Sequence, residues 1–329
     1  MFKKVVSLIL VFIVAVALAA CSGGGTTSTR SGEVITIGIL QLVEHPALDA
    51  AREGFVEALK EAGYEDGVNI KLDLQNAQGE IPNASTIASK FVGDKVDMIL
   101  AIATPAAQAA ANATKDIPIL ITAVTDPVVA GLAKSLDKPG GNVTGTTDMN
   151  PVAEQLQLIK DLLPDAKNVG FLYNSGEVNS KVQLDIAKEA ASKMDLNIVE
   201  ATVTNSSEVT QATQSLMGRV DAIYVPTDNT IVSAIGAVVK VANDNKVPVI
   251  GSEKGQVVGG ALAAKGIDYK ELGKQTGRIA VEVLRGKKPA DLPIESAETI
   301  TLIINKKAAS TIGVAIPEAL LSKADEVIE

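Results

Sequence analysis

The residues with chemical potential in this 329-residue chain gather just after short apolar runs. In the first half three such places precede a proline: Glu44-His45 before Pro46, Thr104 before Pro105, and Thr125-Asp126 before Pro127. Proline suits the first turn of a helix, and Thr or Asp before it is a good cap, so these dipeptides mark helix starts. A helix start offers unpaired backbone N–H groups and a partial positive charge, which attract a carboxylate or phosphate. The Thr104 hydroxyl can both donate and accept, whereas Asp126 would repel an anion and receive an ammonium group. In the second half, YNSGEVNS (173–180) and PTDNT (226–230) collect Asn174, Glu177, Asn179, Thr227, Asp228 and Asn229, a set dominated by acceptors. Asp268, in KGIDY, adds a further acid. Capping or a solvated turn accounts equally well for any one of these residues. Their recurrence at corresponding places in both halves favours a small ligand with one anionic and one cationic end.

The same inventory argues against catalysis. His45 is the only histidine, which excludes a site built from several imidazoles and would force any Ser-His-acid triad to use that residue. Neither a G-x-x-x-x-G-K-[ST] loop nor a G-x-G-x-x-G turn after a strand is present. No enzyme, metal or cofactor is expected, and His45 reads as a helix-entry residue or a ligand contact. With 39 acidic against 30 basic residues, a formal charge of −9 and no basic block, the chain would repel nucleic acid.

The one cysteine, Cys21, follows a basic pair (Lys3, Lys4) and an apolar stretch over 5–20 broken only by Ser7. That layout reads as a secretory signal over 1–20. The stretch is shorter than the roughly 20 residues a membrane-spanning helix needs. Leu18-Ala19-Ala20-Cys21 resembles the bacterial lipobox, which implies acylation of Cys21 and attachment to the membrane, palmitate being the typical chain. An ordinary secretion signal with an incidental thiol is the alternative. Residues 21–33, rich in Gly, Ser and Thr, read as a flexible linker, and with no second cysteine no disulfide can form.

The elements that must position the polar residues alternate with regularity. VITIGIL (34–40) reads as a buried strand and PALDAAREGFVEALKEAG (46–63) as a helix with Ala47, Ala51, Phe55, Ala58 and Leu59 on one stripe. Strands NIKLDL (69–74), DMILAI (97–102) and IPILIT (117–122) follow, with helices near 85–91 and from 105. Strand, helix, strand in rotation implies parallel sheets with right-handed crossovers. The pattern then repeats: NVGFLY (168–173), VNSKVQLDIAKEAASKM (178–194) and LNIVEATV (196–203), with VDMILAIATPAAQ echoed by VDAIYVPTDNT. The expected fold class is therefore α/β, with two doubly wound parallel-sheet lobes and a crevice at the strand ends, where such folds bind ligands.

VEHPALDAAREGF, ATPAAQAA, VTDPVVAGL, NVTGTTD, LYNSGEVNS, PTDN and GIDYKELG together resemble the tryptophan-transporter type of substrate-binding lipoproteins of ABC importers, over about 34–329. The resemblance implies a periplasmic-binding-protein fold of the first type with three crossovers, near Thr147, Asp268 and 292–297. The lobes would then comprise 34–147 plus 268–293 and 148–267 plus 294–329. It implies an amino-acid ligand, often aromatic, passed to a membrane permease driven by an ATPase, and an extracytoplasmic, lipid-anchored, monomeric protein. Carried over by position, the contacts are Glu44 or His45, Thr104, Thr125, Asp126, Asn174, Glu177, Asn179, Asp228 and Asp268. Thr227 and Asn229 adjoin them, and Tyr173 is placed to stack on a ligand ring. A sugar or nucleoside ligand, or a receptor that signals through a membrane partner, are the alternatives. Replacing Cys21 with Ala is expected to move the protein from the membrane fraction to the soluble one, as read by fractionation and blotting; full retention would count against the tether.

Overall fold

The computed structural model describes residues 34–329, so the expected signal over 1–20, Cys21 and the expected linker over 21–33 lie outside the described residues. The apolar run that opens this region becomes strand β1 (Ile35–Gln41), buried from its third residue onward because both faces are covered by helices. Around it the first lobe forms a six-stranded sheet from β2 (Ile70–Asn76), β3 (Met98–Ile102), β4 (Ile119–Val124), β5 (Val143–Thr147) and β11 (Ile294–Ser296). Its order is β2-β1-β3-β4-β5-β11, with every pair parallel.

The second lobe repeats this order with β6 (Asn168–Asn174), β7 (Asn197–Val203), β8 (Ala222–Tyr224), β9 (Val249–Gly251) and β10 (Ala263–Ile267), followed by β12 (Ile300–Asn305) and β13 (Glu326–Ile328). The sheet runs β7-β6-β8-β9-β10-β12-β13. Its β10–β12 pair is antiparallel, a departure from the all-parallel expectation, because β12 enters directly from the other lobe without a crossover helix. Both sheets reverse their strand order beside the first strand, and ligands of doubly wound folds bind at such reversals.

The echo between Asp97 and Asp221 has a structural meaning. Asp97 accepts the Thr36 N–H at 2.8 Å, and Asp221 accepts the N–H groups of Lys167 and Asn168 at 2.8 Å. Each carboxylate pins the entry of a lobe's first strand, at the end away from the crevice.

The chain passes between the lobes after β5, after β10 and after β11. Because Ile294–Ser296 pairs with Gly145–Thr147 of β5, the third passage falls at 297–299. The second lobe therefore does not begin at 294 as expected from the sequence; an extra edge strand precedes the change of lobe.

Helix Tyr269–Leu284 follows the second passage and packs on helix Pro46–Glu61 so closely that the backbones touch. A Cβ on Gly54 would lie 2.0 Å from the Lys270 carbonyl oxygen, and one on Gly273 1.9 Å from that of Ala51. Only glycine fits at either place, and this contact fixes where Asp268 and Tyr269 emerge beside the crevice. Gly273→Ala is expected to lower stability by about 1–3 kcal/mol, the usual cost of overpacking a close contact. Chemical denaturation of the variant against the parent checks this, and equal midpoints would refute it.

Candidate functional site

The carboxyl ends of the two sheets face each other, and the residues that follow the strands enclose a small polar chamber. From the first lobe, His45 enters helix Pro46–Glu61, which also brings Ala47 and Leu48 to the chamber wall. Ala123, at the end of β4, has φ 56, a left-handed conformation unfavourable for a residue with a Cβ. Ala103, just past β3, has φ 87. Strain at two neighbouring strand ends is a feature of sites where the backbone is forced to present a particular surface.

Three carboxylates dominate the chamber: Asp148 from the first passage, and Asp228 and Glu253 from the second lobe, all nearly inaccessible to solvent. Each is held differently. Asp228 Oδ2 accepts the Asn174 N–H and the Ser180 hydroxyl, both at 2.6 Å, while Oδ1 caps helix Asn229–Ser233 through the Ile231 N–H at 2.9 Å. Glu253 caps helix Lys254–Val258 through the N–H groups of Gly255 and Gln256. Asp148 Oδ2 accepts the Tyr269 hydroxyl at 2.5 Å, a bond between two interlobe passages, whereas its Oδ1 has no protein partner.

Other buried polar atoms also lack partners within the protein: both ring nitrogens of His45, Asn179 Oδ1, Thr227 Oγ1, Thr104 Oγ1 and Gln41 Oε1. A buried polar atom left unpaired costs about 1–3 kcal/mol, so a cluster of them at one crevice points to a guest that supplies the partners.

The electrostatics agree. Burial pushes Glu253 up to about 7. Burial, and then the charge of Glu177, push Asp228 up to about 8, and burial raises Asp148. His45 is lowered to about 4 by burial, which outweighs the opposing effects of Asn229 and Asp49, so its imidazole is neutral at pH 7. No Lys or Arg lines the chamber among the described residues. Acids raised in this way resist ionising until a cation enters.

The expected site residues divide into four groups. His45, Asn179, Thr227, Asp228 and Asn229 line the chamber together. Glu177, Asn174 and Asp268 form its frame. The Glu177 carboxylate accepts from the side chains of Asn179, Asn229 and Thr230 and caps the neighbouring helix through the Asn229 and Thr230 N–H groups. Asn174 donates to Thr230 Oγ1 at 2.8 Å, and Asp268 caps helix Tyr269–Leu284. Thr104 is buried at the start of helix Thr104–Ala113, and Thr125 is buried with its carbonyl accepting the Thr147 hydroxyl at 2.7 Å.

Glu44, Asp126 and Tyr173 stand apart from the chamber. Glu44 is exposed. Asp126 spends its carboxylate on the Val128 and Val129 N–H groups, a local turn. Tyr173 packs edge-on against Phe171 in the second lobe's core and donates to Glu200 at 2.9 Å, because strand alternation turns it away from the crevice. The sequence reading passed over Asp148, Glu253 and Tyr269. Asp148 and Glu253 each lie one or two residues beyond a strand, the signal that marked the others, but neither precedes proline.

The profile of the ABC transporter substrate binding protein family matches residues 36–328. The chain belongs to that family. A relative named tyrosine-binding protein, from Clostridioides difficile, is 53% identical over 312 residues, covering 92% of this chain and 90% of the relative. A Streptococcus pneumonia ABC domain in complex with L-Trp is 42% identical and superposes with a TM-score of 0.87, over 90% of this chain and 100% of that one. A ligand-free, open substrate-binding protein with adhesive properties from Clostridium difficile is 51% identical, over 90% of this chain and 99% of that one. Its TM-score is only 0.68. The poorer overlay at higher identity is what rigid lobes set at a different mutual angle produce. This substrate-binding protein is thus a binding protein and not an enzyme, and it superposes better on the L-Trp complex than on the open relative.

An acid whose folded-state pKa is raised makes the folded protein lose stability as pH rises from its ordinary range, near 4, through the raised value. For Glu253 and Asp228 that window runs from about 4 to about 8. Ligand-free protein is therefore expected to melt at a lower temperature at pH 8 than at pH 5.5, as read by thermal denaturation, and Glu253→Gln should reduce the difference. A melting temperature equal at the two pH values in the parent would refute this.

Proposed function

We propose that this substrate-binding protein takes an α-amino acid with an aromatic or large apolar side chain into the crevice between its lobes. It then presents that ligand to an ABC permease on the extracytoplasmic side of the membrane. The observation that carries the reading is the convergence of Asp148, Asp228 and Glu253 on a chamber with no cation among the described residues, beside unpaired groups on His45, Asn179 and Thr227. An ammonium group entering there meets acceptors on several sides. The helix start behind Thr104, with its unpaired hydroxyl, and the neutral His45 ring supply donors for the ligand's carboxylate.

The energetics are sufficient. Hydrogen bonds to charged groups contribute about 1.5–3 kcal/mol each. Burying a large apolar side chain adds about 1.5–3 kcal/mol. Micromolar affinity needs about 8 kcal/mol, which three or four such contacts and one side chain reach after ordering costs.

The tyrosine and tryptophan ligands named for relatives at 53% and 42% identity support an aromatic ligand for this chain. The lipobox-like Leu18-Ala19-Ala20-Cys21 supports a lipid anchor, and among the described residues no helix is long and apolar enough to cross a membrane. The lobes would close on the ligand about the three passages, and the permease would engage the closed form.

Titration calorimetry against the twenty amino acids, with a sugar and a nucleoside as controls, tests the ligand class. Heat only with the sugar or the nucleoside would overturn it. Within the site, Asp148→Asn is expected to weaken amino-acid binding at least tenfold, while Asp126→Ala leaves it within about threefold. The reverse order would misplace the ammonium.

A further inference from the structure

The chamber of carboxylates has a free volume of only about 10 Å³, room for one water-sized group. That suits an ammonium and excludes an aromatic ring. A second cavity of about 350 Å³ adjoins it and shares Ala47, Glu253 and Tyr269 as walls. Both lobes build it: Pro46, Ala47 and Ala50 from the first-lobe helix, and Gly255 and Val258 from helix Lys254–Val258 opposite.

We propose that the side chain of the bound amino acid lies in this second cavity, between Ala50 and Val258, and that these two residues set the size of side chain accepted. The inference rests on the amino-acid reading above and deepens it. Three observations support it. Small residues face the cavity from the first lobe, leaving the width that a ring needs. Gly255 sits where a Cβ would come 3.1 Å from the Pro46 Cβ, so the lobes meet edge to edge here and anything between them is gripped from both sides. Val258 is 62% exposed, a large apolar residue that a ligand side chain would cover.

The cations at the cavity's lip are already engaged, Lys254 with Glu326 and Lys270 with Glu57. That leaves an apolar guest rather than an anion as the fitting occupant. The cavities on the other side of the crevice, around Glu80, Thr204 and Thr230, share only Asn229 with the chamber and are more polar. An aromatic side chain buries about 150–250 Å², and shutting it between the lobes would help hold them closed.

The test measures affinities of the parent, Ala50→Phe and Val258→Trp for the amino acids the parent binds, ranked by side-chain size, with melting curves to confirm folding. Both sites are partly exposed and lie on opposite lobes, so one variant can report if the other fails to fold. Each is expected to weaken the largest ligand at least tenfold and the smallest less than threefold. Equal losses across the series, or no loss for the largest, would overturn the proposal while leaving the amino-acid reading intact. A parent that binds no amino acid would remove that reading itself, and this inference with it.

Discussion

The structure is organised around the cost of burying negative charge. Asp148, Asp228 and Glu253 are withdrawn from water around one chamber with no buried cation among the described residues to offset them. An unpaired buried charge is among the most expensive things a fold can carry, so the groups hold protons or wait for a partner. Each acid is partly compensated by backbone N–H groups at a helix start or by a hydroxyl, which supports the carboxylate without neutralising it. The helix starts of the second lobe are thus as much part of the site as the acids.

The interlobe passages connect that chamber to the motion of the molecule. Asp148 lies just after β5 and Tyr269 just after β10, and the hydrogen bond between them ties two of the three passages together. One oxygen of Asp148 holds the hinge and the other faces the chamber. A cation bound at the free oxygen would polarise the carboxylate that Tyr269 grips. Behind Tyr269, the close backbone contacts at Gly54 and Gly273 hold its helix against the first lobe.

The lobes themselves are well-packed bodies with separate apolar cores, one around β1 and β3, the others flanking the second sheet. The L-Trp complex superposes well and the ligand-free, open relative poorly at comparable identity. The unpaired polar groups of His45, Asn179 and Thr227 gather in the crevice between those bodies.

The sequence by itself determined the alternation of strands and helices, the duplication, and the places where polar residues leave the strands, because apolar periodicity and helix-entry chemistry are local. His45, Asn179, Thr227, Asp228 and Asn229 could be named on that basis. Local signals could not separate them from Asp126, whose carboxylate serves its own turn, or from Tyr173, which strand alternation directs into the core. Glu253 and Asp148 carry the same strand-end signal without a proline after them, and they come to share a cavity only where two sheets face each other. The division into an ammonium-sized chamber and an apolar cavity belongs wholly to the tertiary structure. It arises from how closely two separately folded lobes approach, a distance set by contacts such as Gly255 against Pro46 that lie far apart in the chain.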